Sequence, residues 1–342
     1  MENRLENELF GKVKSLDDLG KEFSLEDSLL IVSGVDSTKE LGRYKKKIEK
    51  LHSLYKNYND GETNLEKAEN LFNFIWKGKK DIYLEEKNDD DFSVRRLNRI
   101  IDRFFLRKDN SVGNCVGLTN LGAVLGLREN INFDCLVFPE HISLALKNKR
   151  KQINFDLTNG EEGFNIEYFK KEKVRMQKKR IEYLLPVLIQ EKGNSKKLFG
   201  NLEDSNKYYQ KAFELGKDIE FIVSLGAINI GLKNFNESEK YTLRGIKNSR
   251  NDPLPYKNNS IILLSKGKYK EALKNINLAI NLDPKKTDYY LDRADLNFRI
   301  GNYKKSLNDY KKALSLKDED FGRGNLEFVK RRIKRLNRKL NN

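Results

Sequence analysis

Apolar residues in the first third of the chain recur at intervals of three and four, which is the spacing of amphipathic helices. Four such stripes are present, in residues 44–55, 65–75, 94–105 and 118–125. The pattern then changes to three short runs rich in apolar residues, which are typical of strands. These runs cover residues 132–138, 142–146 and 152–157. Helices followed by strands predict an α+β domain with a small antiparallel sheet, ending near residue 165.

The C-terminal half of the chain repeats itself at a period of 34 residues. In the last two units the matching residues include Gly267 with Gly301, Tyr269 with Tyr303 and Ala279 with Ala313. A small residue also recurs earlier in three units, as Gly226, Ser260 and Ala294. Small residues at such positions let two helices approach closely, so each unit is expected to be a helix pair. The pattern resembles the tetratricopeptide repeat, and it predicts an all-α solenoid of about four repeats over residues 183–320, the first of them degenerate.

Two basic segments flank the predicted repeats. Residues 166–182 are expected to form a basic helical connector from the α+β domain. Residues 321–342 carry eight Lys and Arg residues against the single acid Glu327, and their apolar residues recur at intervals of three and four. We interpret this last helix as a cap that covers the final repeat and keeps a polar outer face. The alternative is a site for an acidic partner, such as nucleic acid or another polyanion.

Composition narrows the class of protein. The formal net charge is +16, which we attribute to lysines spread over solvated helix faces, with attraction to a polyanion as the alternative. Two cysteines in 342 residues exclude a disulfide scaffold and favour a reducing compartment. The first residues contain acids and no apolar stretch, which is unlike a secretory signal. The longest apolar runs are too short to span a bilayer. We therefore expect a cytoplasmic protein that does not bind a membrane.

One cysteine and one histidine fall where a thiol enzyme would need them. Cys115 stands at the apparent start of the fourth helix, where the helix dipole and unpaired backbone N–H groups favour a thiolate. His141 follows 26 residues later, and Asp156 follows 15 residues after that, each beside a predicted strand. A hairpin turn at residues 148–150 would bring the last two side by side. The acid could then hold the imidazole in the tautomer that accepts the thiol proton.

The surroundings of these residues resemble the transglutaminase-like cysteine superfamily, in particular a bacterial branch that joins such a domain to tetratricopeptide repeats. The resemblance covers about residues 48–163. Its landmarks are the stretch from Gly113 to Leu118, Pro139-Glu140-His141, and the stretch from Phe155 to Gly160. The two residues after the histidine depart from the family, which often has an aromatic pair there. The resemblance implies a papain-like α+β fold in which Cys115 is the nucleophile, His141 the base and Asp156 the orienting acid.

The main functional hypothesis is thiol-dependent acyl transfer on a protein or peptide amide, as in a cysteine peptidase or amidase. Hydrolysis is favoured over transamidation, and the repeats would hold a protein or peptide partner. The alternative is a non-catalytic interaction scaffold whose transglutaminase-like domain is only a folded module. No cofactor is expected, because no glycine-rich phosphate loop is visible. No metal is expected either, because two histidines and two cysteines do not suit a dedicated zinc tetrad. Of these, we expect Cys135 to be a core residue of the sheet and His52 to lie on a solvated helix face.

Overall fold

The computed structural model describes residues 3–76, 96–106, 115–138, 141–148, 151–156, 176–316 and 323–341. The chain divides into two compact units, Met1–Gly216 and Lys217–Asn342. The helices of the first unit are α1 (Arg4–Lys12), α2 (Leu25–Val32), α3 (Thr38–Tyr58), α4 (Asn64–Trp76), α5 (Leu97–Leu106), α6 (Cys115–Arg128), α7 (Leu184–Leu198) and α8 (Leu202–Gly216). Its strands are β1 (Asp134–Phe138), β2 (His141–Asn148), β3 (Lys151–Phe155) and β4 (Gln177–Arg180). The helices of the second unit are α9 (Ile219–Gly231), α10 (Phe235–Asn248), α11 (Pro253–Ser265), α12 (Tyr269–Leu282), α13 (Thr287–Arg299), α14 (Tyr303–Leu316) and α15 (Arg323–Asn341).

The first three helices each begin at a side chain that caps them. The side chains of Asn3, Ser24 and Ser37 accept hydrogen bonds from the backbone N–H group three residues further on. These bonds satisfy donors that have no partner inside the helix. The apolar stripe predicted for α3 is buried: Tyr44, Ile48, Leu51 and Tyr55. Helices α4, α5 and α6 also form where the sequence predicted them.

The four strands form one antiparallel sheet in the order β3-β2-β1-β4. β1, β2 and β3 lie where the sequence predicted strands, but β4 contradicts the expected helical connector at residues 177–180. Its residues alternate between half-buried and exposed, which is the period of a strand. Its backbone pairs with β1, from Val137 opposite Gln177 to Asp134 opposite Arg180. The rest of the predicted connector up to residue 175 lies outside the described residues.

The structure confirms the expectation for Cys135 but not the one for His52. Cys135 is fully buried in β1, as expected of a core residue, and burial raises the pKa of its thiol. The expectation for His52 was wrong, because its Nε2 lies 2.5 Å from Oε1 of Glu129 and both side chains are largely buried. Helical spacing could not show this contact, since Glu129 is 77 residues away along the chain.

Helices α7 and α8, which span the predicted degenerate repeat, pack against each other within the first unit. Gly193 of α7 permits their close approach, because a Cβ atom there would stand 2.8 Å from the ring of Tyr209. The domain bounds predicted at residues 165 and 182 stay predictions.

A buried polar cluster ties this helix pair to α1. Lys192 Nζ lies 2.5 Å from Oε1 of Glu6, and the Tyr208 hydroxyl donates to the other oxygen of the same carboxylate at 2.9 Å. Lys211 donates to the backbone oxygens of Phe10 and Val13 at the end of α1. These contacts partner two lysines that would otherwise be buried at high cost. Burial lowers the pKa of Lys192, although Glu6 opposes that effect.

The second unit is a stack of helix pairs, α9 with α10, α11 with α12 and α13 with α14. A hydrogen bond from a serine hydroxyl to a backbone oxygen joins the helices of each pair, at 2.7 to 3.0 Å. The serine lies on the second helix in the first and third pairs and on the first helix in the middle pair. The bonds run from Ser238 to Gly226, from Ser260 to Ala272 and from Ser306 to Ala294. A small residue suits position 226, because a Cβ atom there would stand 3.0 Å from Thr242 Oγ1, a tight contact. The predicted solenoid of helix pairs is therefore confirmed in this unit.

Helix α15 covers the last pair. Its residues Val329 and Leu336 are fully buried in a cluster with Ala294 and Tyr310. The apolar stripe read from the sequence is thus the inner face of a capping helix. None of the helices in the described ranges combines the length and the apolar composition needed to cross a bilayer.

Candidate thiol site and repeat surface

The fold brings the three residues of the predicted thiol site together. Cys115 is the first residue of α6, His141 is the first residue of β2, and Asp156 directly follows β3. Helix α6 packs on β2, and Thr119 Oγ1 donates to the backbone oxygen of Ile142 at 3.2 Å. This bond fixes the first turns of the helix beside the start of the strand. The antiparallel pairing of β2 with β3 then brings Asp156 close to the same end of the sheet.

His141 lies between the other two side chains. Its Nε2 is 3.0 Å from Oδ2 of Asp156, and the imidazole also hydrogen-bonds with the side chain of Cys115. Only 2% of the Asp156 side chain is exposed, against 16% for His141, and Cys115 is half-buried. The Asp156 carboxylate is thus buried, while His141 and Cys115 each keep part of their surface exposed to solvent. That these three residues perform catalysis stays a prediction.

The surroundings of His141 favour its protonated form. Burial lowers the pKa of the imidazole, but the hydrogen bonds to Asp156 and Cys115 raise it, and the net pKa is raised from 6.5 to about 9. At neutral pH His141 is therefore an imidazolium that lies between the side chains of Asp156 and Cys115. An imidazolium in this position can stabilise a thiolate and can later give a proton to a leaving group.

Two further polar side chains near these elements were missed by the sequence analysis. Ser143 lies two residues after His141, so the two side chains point to the same face of β2. Asn120 follows Thr119 in α6. Both residues are fully buried, and within the described part of the chain the Ser143 hydroxyl and the Asn120 amide have no hydrogen-bond partner. Such groups are uncommon in protein interiors, and their burial follows from helix–sheet packing that the sequence pattern does not reveal.

Several landmarks of the predicted motif lie outside the described residues. They are Gly113, Asn114, Pro139, Glu140 and residues 157–160. No oxyanion-binding group is therefore assigned from the segment before Cys115.

The second unit presents a surface lined by the first helix of each pair, because α9 contacts α11 and α11 contacts α13. Lys257 of α11 reaches across to α13, with Nζ 3.3 Å from an oxygen of Asp288 and 3.7 Å from one of Asp292. Asp295, one turn further along α13, is 3.8 Å from Arg332 of α15. Burial raises the pKa of Asp292 to about 6, with repulsion from Asp288 and Asp295 adding to the effect and Lys257 opposing it. Charges from neighbouring pairs therefore meet on one surface.

Comparison with known proteins concerns this second unit. Residues 260–286 and 287–320 match the tetratricopeptide repeat family. Together with the stacked helix pairs, this match shows that the C-terminal part of the chain is a tetratricopeptide-repeat solenoid. The N-terminal part is a small α+β region that lies outside the matched residues.

Several solved structures are similar to this chain. A thermophilic tetratricopeptide-repeat protein of Thermus thermophilus is 16% identical with a TM-score of 0.40, over 45% of this chain and 82% of that one. YrrB, a tetratricopeptide-repeat protein with an unusual peptide-binding site, is 18% identical with a TM-score of 0.33, over 41% and 75%. The first tetratricopeptide-repeat domain of Spaghetti, bound to an HSP90 peptide, is 17% identical with a TM-score of 0.33, over 37% and 98%. No curated protein matches the sequence.

Proposed function

We propose that the repeat unit binds a protein or peptide partner on the surface lined by α9, α11 and α13. Stacked helix pairs present extended surfaces to which several repeats contribute, and repeat proteins use these surfaces for binding. The observation that carries the proposal is the mixture of groups that α11 and α13 offer there. Lys257 and Asp288 supply charge, and Leu254, one turn before Lys257, is 44% exposed and supplies apolar area.

The test compares two exposed leucines of the same unit. The full-length chain is used to probe a peptide array, and calorimetry then measures the Kd of each peptide that binds. We expect Leu254→Ala to raise Kd roughly tenfold, because a leucine buried on binding contributes about 1.5–3 kcal/mol. Leu278→Ala is the matched control, since Leu278 is 38% exposed but lies on α12, a second helix of a pair. Equal effects of the two variants, or no peptide that binds, would contradict the proposal.

A second candidate function is thiol-dependent acyl transfer in the N-terminal unit. It is supported by the chain order of Cys115, His141 and Asp156, by their resemblance to the transglutaminase-like superfamily, and by the contacts of His141 with the other two. In this reaction the Cys115 thiolate attacks an amide carbonyl, and the imidazolium of His141 protonates the amine that leaves. Water, activated by the neutral imidazole, then hydrolyses the thioester and restores the thiol. Hydrolysis is favoured over transamidation because nothing in the sequence marks an amine-acceptor site.

The chain contains its own control for the thiol hypothesis. Alkylation by iodoacetamide between pH 6 and 9, read by mass spectrometry, gives separate rates for Cys115 and for the buried Cys135. We expect Cys115 to react at pH 7 and His141→Ala to slow it roughly tenfold, because the thiolate loses its cationic neighbour. Cys135 should stay unreactive in both proteins. A Cys115 rate that is indifferent to His141 would leave only the binding function.

A further inference from the structure

Half of the chain's net positive charge lies in its last forty residues. Residues 303–342 contain thirteen Lys and Arg residues and five Asp and Glu residues, an excess of eight out of a formal net charge of +16. Three of these acids, Asp318, Glu319 and Asp320, lie in the segment between α14 and α15, outside the described residues. The count includes them, so the excess does not depend on their placement.

The cations of these two helices are exposed. On α15 the exposed basic residues are Lys330, Arg331, Lys334, Arg335, Arg338 and Lys339. On α14 they are Lys304, Lys305, Lys311 and Lys312. The two acids within the described parts of these helices are already engaged. Asp309 is largely buried and pairs with Arg293, and Glu327 pairs with Lys330 at 3.1 Å.

Three of the cations converge on one aromatic ring. The charged groups of Arg332, Arg335 and Lys339 lie 5.5, 5.3 and 5.6 Å from the ring centroid of Phe298. Among the described residues, the acid that pairs with one of them is Asp295, 3.8 Å from Arg332. Like charges held this close repel one another, and a bound anion would relieve that repulsion. The geometry therefore favours a ligand that carries several negative charges.

We propose that α14 and α15 bind the phosphate backbone of a nucleic acid. Arg331, Lys334 and Arg338 follow one another at intervals of three and four, so they lie along one side of α15. They span about 10 Å of helix, a length over which one DNA strand places about three phosphates. Positive charges repeated at this spacing match a polymer that carries one negative charge on every nucleotide.

The exposed surface of these helices favours nucleic acid over an acidic protein. Protein interfaces draw most of their energy from buried aromatic and apolar anchors. Among the large apolar residues whose exposure is described in α14 and α15, none is exposed, and Val329 and Leu336 are committed to the capping contact. Binding to a phosphate backbone needs no such anchor, because release of counterions supplies its free energy. Phe298 and Tyr303 lie beneath cations, so the proposed binding relies on the phosphates and is expected to be independent of sequence.

Fluorescence anisotropy of the full-length chain with a labelled 20-nucleotide RNA and a 20-base-pair DNA tests the proposal. The variant carries Arg331→Gln, Lys334→Gln and Arg338→Gln, which leave the buried stripe intact. We expect its Kd to rise at least roughly tenfold near 0.1 M salt, and the slope of log Kd against log salt to fall by about 2 to 3. A variant with Arg331→Lys and Arg338→Lys keeps the charge and should keep the affinity.

The matched control removes the same charge elsewhere. Lys39→Gln, Lys46→Gln and Lys56→Gln change three exposed lysines of α3, and we expect them to leave Kd within roughly twofold. Equal weakening by both triple variants would mean that net charge alone attracts nucleic acid, and the assignment to α15 would be wrong. Absence of binding, or equally tight binding to polyglutamate, would also overturn the proposal. Circular dichroism of each variant must match that of the unchanged chain, and if the Gln variant is misfolded, the variant Lys334→Glu alone replaces it.

Discussion

Replacing Asp156 by asparagine removes the carboxylate that holds His141 protonated while keeping the size of the side chain. In the folded protein the pKa of His141 is raised from 6.5 to about 9. A group whose pKa is raised on folding stabilises the folded state fully below its unfolded pKa, and this stabilisation is lost as the pH rises through the folded value. The free energy of unfolding of the first unit should therefore fall between pH 6.5 and pH 9.

The size of this fall follows from the shift in pKa. A difference of about 2.5 pKa units at about 1.36 kcal/mol per unit corresponds to at most about 3 kcal/mol. The His141 side chain is 16% exposed, so solvent screening reduces the figure only moderately. In the Asp156→Asn protein, burial lowers the pKa of His141 with less opposition. The fall above pH 6.5 should then be absent.

Urea denaturation at pH 6, 7, 8 and 9 measures the effect. Trp76 is the single tryptophan of the chain and ends α4, so its fluorescence reports on the first unit. His141→Gln removes the titrating group, and its difference from the unchanged chain isolates the contribution of His141 from those of other groups. Stability that stays level or rises from pH 6.5 to 9 would refute the reasoning. An equal fall in the Asp156→Asn protein would show that a different group is responsible.

Three other predictions concern packing and the buried charges. Gly193→Ala should destabilise the first unit by about 1–3 kcal/mol, because its Cβ would stand 2.8 Å from the ring of Tyr209, whereas Gly42→Ala meets no atom within 4 Å and should stabilise α3 by about 0.5–1 kcal/mol. Thermal unfolding followed by circular dichroism measures both, and equal effects would contradict the close contact at Gly193. Lys192→Met should cost about 3–5 kcal/mol because it leaves the Glu6 carboxylate buried without a cation, while the double variant with Glu6→Met should recover most of that loss. Urea denaturation followed by Trp76 fluorescence measures this, and a double variant as unstable as the single one would rule out the ion pair as the cause. Val329→Ala should destabilise the second unit by about 1–3 kcal/mol, since it opens a cavity beneath the cap, whereas loss of the exposed Lys334 side chain should leave thermal stability within about 0.5 kcal/mol.

The repeat unit and most of the sheet could be predicted because their signals are local. A period of 34 residues and an apolar run of five to seven residues are visible in one stretch of chain, and they predicted the helix pairs and the strands β1 to β3. β4 was missed because four alternating residues in a basic segment carry no signal until β1 offers them an edge. The proximity of Cys115 and His141 could be predicted, because each stands at the start of an element that the sequence pattern predicted. The pairing of His52 with Glu129 was not, since it depends on how α3 and α6 pack.

The contacts between α1 and the first helix pair decide where this chain can be divided. A protease or a recombination event that separates the chain at residue 183 would leave Lys192 and Lys211 in one fragment and Glu6 and Phe10 in the other. A division after Gly216 keeps each of these partners together. We therefore expect the first pair to be retained with the N-terminal unit, and any gain or loss of repeats to fall among the pairs that follow residue 216.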